Sequence, residues 1–165
     1  MIIQSLEFTK LPGIKGKYLV CNLNIVVHVL DKGDRKHRVE YMEQFIVDTG
    51  SPATFLRQSE FERVTPLPLE DLCLEKETIG PEDDQEEVYR LFDFCVPDLK
   101  VFLPKVFLSR RKRPFSLLGT DFLEHFQFVF NPRERAALLW RLEKNSVMMS
   151  QKISLPKGLK EGSNG

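Results

Sequence analysis

The chain contains few of the residues that build disulfide or zinc sites. Among its 165 residues are three cysteines and three histidines. The cysteines lack C-x-x-C spacing and lie among apolar neighbours, so we expect buried free thiols at Cys21, Cys73 and Cys95. The histidines neither pair at i, i+4 nor cluster with the cysteines. This spacing argues against a zinc site, and we expect no bound metal.

The chain also lacks an excess of charge and a long apolar run. Its 24 Lys and Arg residues balance 24 Asp and Glu residues, so no global field attracts nucleic acid or an anionic membrane. No apolar run approaches the roughly 18 residues that a membrane-spanning helix needs. The N-terminal residues lack the basic and apolar regions of a secretory signal. From these missing signals we expect a cytoplasmic protein without nucleic-acid or membrane partners.

The length and composition fit one globular domain. Hydrophobic residues make up 42% of the chain and charged residues 29%, and a chain of this size can bury a real core. Beyond Glu143, Gly, Ser, Lys and Pro accumulate. We therefore predict one domain over residues 1–143 and a disordered tail over residues 144–165.

Two strands and a tight turn are predicted in the first third of the chain. Apolar residues alternate with others from Leu19 to Ile25, which indicates a half-buried strand. The turn cluster Asp31-Lys32-Gly33-Asp34 and a second extended run over residues 38–47 complete a β-hairpin. The return strand ends at Asp48, and Thr49-Gly50-Ser51-Pro52 must then turn.

The middle of the chain predicts a short helix and a second hairpin. A short strand over residues 53–56 precedes a capping box, with Ser59 as N-cap and Glu62 three residues later, and the helix should end near residue 64. Residues 72–96 indicate a hairpin whose acidic tip, residues 82–87, should be solvated. Its projecting tip makes this hairpin a candidate lid.

The last third predicts strands around one more short helix. Residues 101–108 are strand-like around a proline, which favours a sheet edge or a bulge. Asp121 and Glu124 have the spacing of a helix N-cap and its N3 residue. Phe126, Phe128 and Phe130 alternate in a following strand and should pack in the core. The fold is therefore mainly β with two short helices.

Asp48 stands out because it follows an apolar strand. Burying an ionised carboxylate costs several kcal/mol unless hydrogen bonds or a shared proton compensate it, so an Asp at this place is paired or functional. The alternative is a turn residue whose carboxylate caps the backbone at Thr49 and Gly50.

A second motif lies about 70 residues downstream, where Leu117-Leu118-Gly119 leads into a short helix. Together with Asp48-Thr49-Gly50-Ser51 this arrangement resembles the retropepsins, the single-domain aspartic proteases of retroviral type. The resemblance covers roughly residues 15–142. It implies a closed, β-barrel-like acid-protease fold with one lobe per chain.

The resemblance assigns roles to both motifs. Asp48 is then the catalytic carboxylate, and Thr49 hydrogen-bonds across a subunit interface. Gly50 lets the substrate backbone approach closely, and Ser51 completes the active-site loop that contacts substrate. Ile79 and Gly80 would form the tip of a flap. The residues of the second motif would support the active-site loop from below: Leu117, Leu118 and Gly119.

One carboxylate is insufficient for this chemistry. Peptide hydrolysis by two carboxyl groups needs one as general base and one in its protonated form, and the chain has only one D-T-G. The resemblance therefore implies that the second Asp48 comes from a symmetry-related subunit. The resulting hypothesis is a homodimeric aspartic endopeptidase that acts on peptides or proteins and uses no metal or organic cofactor.

The chain departs from the retroviral pattern at one pair of positions. Many retroviral members carry an Arg after the second-motif Gly, paired with an acid shortly after the D-T-G; here these residues are Thr120 and Pro52. One alternative is therefore a non-catalytic retropepsin-like module that binds peptides or dimerises. Another is a nucleic-acid-binding β-barrel that uses the basic run Arg110-Arg111-Lys112-Arg113, although a solvated loop explains that run as well.

Overall fold

A computed structural model describes residues 2–13 and 15–143, and the predicted tail over residues 144–165 lies outside the described residues. Within this part the chain forms one ten-stranded sheet and two short α-helices, which confirms the mainly β prediction. The elements are β1 (Ile3–Lys10), β2 (Lys17–Leu30), β3 (Lys36–Val47), β4 (Phe55–Arg57), α1 (Gln58–Val64), β5 (Glu75–Ile79), β6 (Glu86–Val96), β7 (Val101–Ser109), β8 (Ser116–Leu118), α2 (Thr120–Leu123), β9 (Phe126–Asn131) and β10 (Ala136–Arg141).

The strand order explains how distant parts of the chain meet. It runs β5-β6-β7-β4-β8-β3-β2-β1-β10-β9, and β2 pairs additionally with β6. Most neighbours are antiparallel, but β3 pairs with β8 in parallel, with Val47 opposite Leu118. Because parallel strands end at the same edge of a sheet, the residues after β3 and after β8 lie side by side. The two sequence motifs are therefore brought together.

The β2–β3 hairpin carries much of the core and forms as predicted. Val20 lies opposite Ile46, and the pairing continues to Leu30 opposite Lys36. Alternate residues of β2 point to the same face of the sheet. These residues are almost completely shielded from solvent and belong to the main hydrophobic core: Cys21, Leu23, Ile25, Val27 and Val29.

A smaller hydrophobic cluster lies beside the main core. It combines one side chain from each of six strands with one residue after β1: Leu11, Val20, Ile46, Phe55, Val88, Phe107 and Leu117. Ile79, the last residue of β5, packs against this cluster. The second predicted hairpin, β5–β6, is thus in place, and its tip packs on the strands that lead to Asp48.

The N-terminal strand β1 was not predicted from the sequence. Its first half pairs with β10 and its second half with β2. Only Leu6 of its eight residues is buried, so the alternation that reveals β2 is weak here. A strand held mainly by backbone pairing leaves little pattern in its side chains.

Both predicted helix caps are wrong. Helix α1 begins at Gln58, one residue before the predicted N-cap Ser59, and Arg57 occupies the cap position without a side-chain cap. The Arg57 N–H instead donates to Ser116 Oγ, because β4 runs directly into the helix. In α2 the N-cap is Gly119 rather than Asp121.

Burial differs from expectation at the phenylalanine stripe and at the cysteines. Phe126 is buried, but Phe128 and Phe130 are each 47% exposed because β9 is the last strand of the sheet. All three cysteines are free as predicted, yet only Cys21 is buried and Cys73 is exposed. No helix in the described ranges is long and apolar enough to cross a membrane.

Candidate active site

Asp48 lies at the end of β3, at the start of a tight turn. Its N–H donates to the Leu118 carbonyl (3.0 Å), so the residue is fixed to the strand end of the second motif. Its carboxylate Oδ1 accepts the Gly50 N–H (2.9 Å), and its carbonyl accepts the Ser51 N–H (3.2 Å). The side chain is only partly buried. In the single chain Asp48 is therefore partly exposed and hydrogen-bonded, and it is not the buried charge that its place after an apolar strand predicts.

The rest of the loop divides into an exposed tip and a fixed base. Thr49 and Gly50 are exposed. Ser51 is 8% exposed, and its hydroxyl donates to the Ala53 carbonyl (2.7 Å). The Ser51 carbonyl accepts the Thr120 N–H (2.8 Å). The base of the loop is thus bonded to the second motif, while the tip with Thr49 and Gly50 faces solvent.

Gly119 sits directly against the base of this loop. An added Cβ at position 119 would overlap the Ala53 carbonyl group and lie 2.8 Å from the Ser51 carbonyl oxygen. No larger residue fits without moving the backbone. Leu117 and Leu118 precede it in β8, and both are buried opposite Ile46 and Val47. The second motif therefore supports the Asp48 loop.

A polar bridge that sequence reasoning missed joins the same two segments. Thr54 is fully buried, and its hydroxyl donates to Asp121 Oδ1 (2.7 Å) while its N–H donates to Asp121 Oδ2 (3.2 Å). The Thr54 hydroxyl oxygen also accepts the Gly119 N–H (3.2 Å). This bridge lies within two residues of Pro52 and Thr120, the positions where many retroviral proteases carry an ion pair. The sequence signal for this bridge is Asp121, two residues after the second motif, whose spacing to Glu124 instead predicts a helix cap.

A buried ion pair holds the three strands that converge on the loop. Glu43 in β3 is 1% exposed, and its carboxylate accepts hydrogen bonds from Arg57 in β4 (Nη2–Oε1, 2.7 Å) and from the Ser116 hydroxyl in β8 (3.0 Å). The hydrogen bonds that Arg57 donates to Glu43 raise the pKa of Arg57 above its ordinary value. Both oxygens of the Glu43 carboxylate accept hydrogen bonds, so the cluster aligns β3, β4 and β8 beneath Asp48. Sequence periodicity gave no sign of it.

The predicted flap residues lie at the tip of the β5–β6 hairpin. Gly80 has a φ of +100°, and an added Cβ would lie 2.6 Å from the Asp84 carbonyl oxygen. The Asp84 N–H donates to the Pro81 carbonyl (2.9 Å), which closes the turn. Only glycine suits this position without strain. The neighbouring Ile79 contacts the smaller hydrophobic cluster, which contains residues of β3 and β8.

The acidic tip and the basic run form ion pairs with each other, so neither is simply solvated as expected. Glu86 is 8% exposed and also accepts a hydrogen bond from the Ser109 hydroxyl. The pairing fixes the tip of the β5–β6 hairpin to the loop between β7 and β8, and it compensates the arginine charges that the nucleic-acid hypothesis needs. We call this set the tip cluster: Asp84–Arg111 (2.8 Å), Glu86–Arg113 (2.8 Å) and Glu87–Arg110 (2.5 Å).

The arrangement around Asp48 offers one carboxylate and no ligand set for a metal. Across residues 2–13 and 15–143 no group of three or more His, Cys, Asp or Glu side chains is placed to hold a metal ion. Asp48 takes part in none of the ion pairs of this part of the chain. One positioned carboxylate can act as a general base or acid, but it is half of a two-carboxylate site.

Comparisons with known proteins find similarity among solved structures. Neither the protein-family models nor the curated proteins contain a match to this chain. Among solved structures, the crystal structure of a retropepsin-like aspartic protease from Rickettsia conorii is similar with 17% identity and a TM-score of 0.44, over 73% of this chain and 90% of that one. The functional assignment therefore depends on the geometry of the site.

Proposed function

We propose that the protein is an aspartic endopeptidase that acts as a homodimer, in a closed, barrel-like retropepsin fold with one lobe per chain. The observation that carries the proposal is the position of Asp48, partly exposed at a loop whose base is bonded to the segment after β8. The additional β2–β6 pairing supports a closed fold, because it joins the two ends of the strand series from β6 to β2.

The proposed mechanism uses two Asp48 side chains, one from each subunit. Two carboxylates about 3 Å apart cannot both remain ionised, so the pair shares one proton. The ionised carboxylate takes a proton from water as the water oxygen attacks the peptide carbonyl carbon. The protonated partner gives its proton to the carbonyl oxygen, and a tetrahedral diol forms. Collapse of the diol transfers a proton to the amide nitrogen, breaks the C–N bond and restores the pair.

The single-chain geometry supports a role as general base for Asp48. Its Oδ1 is held by the Gly50 N–H. No donor in the described residues bonds Oδ2, so this oxygen is available to a water molecule or to the partner carboxyl group. No metal or organic cofactor enters any step.

Dimerisation is supported by exposed groups at the loop and at the sheet edge. Thr49 lies at the exposed loop tip, where it would hydrogen-bond to the same loop of a second subunit. Ile3 and Trp140 face each other across β1 and β10 and are 47% and 39% exposed. Such an exposed apolar pair suits an interface between subunits.

Substrate would lie between the Asp48 loop and the β5–β6 hairpin. Ile79 and Gly80 would contact an extended peptide through the lid tip, whose backbone groups can pair with a peptide as a strand does. The tip cluster then sets how readily the lid opens.

The test is cleavage of peptide libraries between about pH 4 and 7. We expect the Asp48→Asn variant to lose about 10²- to 10⁴-fold in kcat, because it removes the general acid and base. The matched control is Asp34→Asn in the β2–β3 turn, where the backbone φ of 61° suits asparagine. It should retain activity.

A mixing experiment tests the dimer. Excess Asp48→Asn subunits should suppress the wild-type enzyme by forming mixed dimers with one carboxylate. Equal cleavage by wild type and Asp48→Asn would refute the mechanism, and activity per subunit that is unaffected by dilution or mixing would refute the shared site.

A further inference from the structure

An exposed aromatic surface lies at the edge of the sheet. Phe128 and Phe130 pair with Leu139 and Ala137 of β10, which are buried, so all four side chains share one face. The Phe130 ring lies 5.6 Å from the Phe8 ring and 6.1 Å from the Phe128 ring, centroid to centroid. The three rings form a continuous row that continues the core face into solvent.

Positive charge flanks one end of this row. A cavity of about 360 Å³ is lined there by Phe8, Phe130, Pro132, Lys17 and Arg135. Neither Lys17 nor Arg135 forms an ion pair with any residue that the structure describes. An apolar cavity flanked by unpaired cations favours a ligand that carries both apolar groups and negative charge.

A third cation strengthens this local field. Lys10 lies directly opposite Lys17 in the β1–β2 ladder, and like charges in this position repel. An anion bound beside them would relieve the repulsion. The one acidic side chain in the adjoining turn over residues 132–135 is Glu134, against Arg133 and Arg135. The protein is neutral overall, but the local net charge around Lys10, Lys17 and this turn is positive.

The edge strand supplies backbone partners next to the charges. β9 is the last strand in the sheet order, and its outer side pairs with no strand of the described chain. Alternate residues of such a strand direct N–H and C=O groups outward, where another strand can pair. The Asn131 side chain accepts the N–H groups of Arg133 (3.1 Å) and Glu134 (3.3 Å), which fixes the turn that presents Arg135.

We propose that β9 and the surface formed by Phe8, Phe128, Phe130, Lys17 and Arg135 dock an extended peptide segment that carries apolar residues at alternate positions and acidic residues at the end beside Lys17 and Arg135. The segment adds to the sheet as a strand, places apolar side chains on the phenylalanine row and places carboxylates beside the two cations.

Charge and geometry favour this partner over the alternatives. A second copy in a symmetric pair would bring its own Lys17 and Arg135 to a surface that is already positive. A nucleic acid would use the cations and the ring faces but leave the open backbone groups of β9 unpaired. An acidic peptide strand satisfies all three features. Docking does not depend on proteolysis, since Asp48 is not part of the surface.

The test is fluorescence anisotropy with a labelled synthetic peptide that carries Val and Phe at alternate positions and Glu residues at each end, compared with the same peptide carrying Lys for Glu. We expect the acidic peptide alone to bind, and its affinity to fall as salt is raised. Arg135→Glu should weaken binding about tenfold or more, as for a reversed charge in a complementary interface. The matched control Lys112→Glu changes net charge equally at an exposed residue of the basic run and should bind as wild type does.

Further measurements identify the source of any binding. Asp48→Asn should bind the peptide unchanged, and N-methylation of alternate peptide residues should weaken binding by removing strand hydrogen bonds. Equal binding of the acidic and basic peptides, or an equal effect of Arg135→Glu and Lys112→Glu, would overturn the proposal. So would tighter, Arg135-dependent binding of a single-stranded oligouridine. A change of oligomer mass in a folded Phe128→Ser variant would assign the surface to contacts between copies and overturn it as well.

Discussion

Replacing Gly119 by alanine tests whether the second motif truly supports the Asp48 loop. The new Cβ would overlap the Ala53 carbonyl group and lie 2.8 Å from the Ser51 carbonyl oxygen, and both obstacles are backbone atoms. The Ser51 carbonyl is held by the Thr120 N–H, so it cannot retreat without moving the loop. The φ of Gly119 is −91°, which alanine tolerates, and the cost is therefore steric.

The magnitude follows from overpacking of a filled site. Such changes cost about 1–3 kcal/mol, and a Gly-to-Ala change returns at most about 1 kcal/mol by restricting the unfolded chain. The net cost is then up to about 3 kcal/mol, which at roughly 2–4 °C per kcal/mol for a chain of this size lowers the melting temperature by up to about 12 °C. If the protein is a protease, kcat should fall too, because the loop that carries Asp48 is displaced.

Thermal unfolding at fixed protein concentration measures the effect. The control is Gly33→Ala in the exposed β2–β3 turn, where an added Cβ meets only the Asp31 side chain, at 3.3 Å. We expect that variant to stay within about 0.5 kcal/mol of wild type. If the Gly119→Ala and Gly33→Ala proteins had the same melting temperature, the claim that residue 119 is in close contact with the loop would be refuted.

Three other measurements test separate features. Thr54→Val should destabilise the protein by about 1–3 kcal/mol in urea unfolding, because the partly buried Asp121 carboxylate loses its hydroxyl donor, whereas Thr54→Ser should not; equal losses would contradict the bridge. Burial lowers the pKa of His125, so the folded state binds fewer protons than the unfolded state, and stability should fall as pH drops below 6.5. His125→Gln should flatten this pH dependence, and an unchanged profile would show that His125 does not cause it. Cys73 should react at once with an aromatic disulfide reagent, while Cys21, whose pKa burial raises to about 12, should react only on unfolding; rapid reaction of both would be inconsistent with the core.

The β2–β3 hairpin could be predicted because its signals are local. Strict alternation over residues 19–25 and a polar turn cluster specify two strands and their connection without reference to the rest of the chain. Asp48 follows from the same pattern as the residue at the end of the return strand. Its approach to Gly119 is different, because parallel pairing of β3 with β8 joins segments about 70 residues apart. Only the resemblance to retropepsins predicted that meeting.

The errors have a common physical origin in surroundings that a sequence pattern does not specify. Alternation placed Phe128 and Phe130 on the core face correctly, but whether that face is covered depends on the strand order, and β9 lies at the edge. Asp121 has the spacing of a helix cap, yet the buried Thr54 competes for its carboxylate. In both cases a tertiary neighbour decided the outcome.

The acidic and basic runs could not be interpreted correctly from the sequence either, because each run is the ion-pair partner of the other. Considered separately, residues 82–87 and residues 110–113 are each most simply a solvated loop. The pairing of β6 with β7 aligns Val88 with Ser109. The acidic residues that precede Val88 therefore lie beside the basic residues that follow Ser109. Their charges then compensate each other. The exposed pairs Asp84–Arg111 and Glu87–Arg110 contribute only about 0–1 kcal/mol each, so the buried Glu86, paired with Arg113 and hydrogen-bonded to Ser109, holds the hairpin tip most firmly.

The position of Asp48 now has a different physical meaning. A carboxylate buried alone would cost several kcal/mol on folding, but in the single chain Asp48 is partly exposed and its Oδ1 already accepts the Gly50 N–H. Folding therefore requires no second acid. The cost arises only when a second subunit covers the loop and brings a like charge beside it, and a shared proton can offset the cost at that point. If the site is shared as proposed, the electrostatic cost arises during dimerisation and not during folding of the chain. One chain can therefore fold stably while it carries half of an active site.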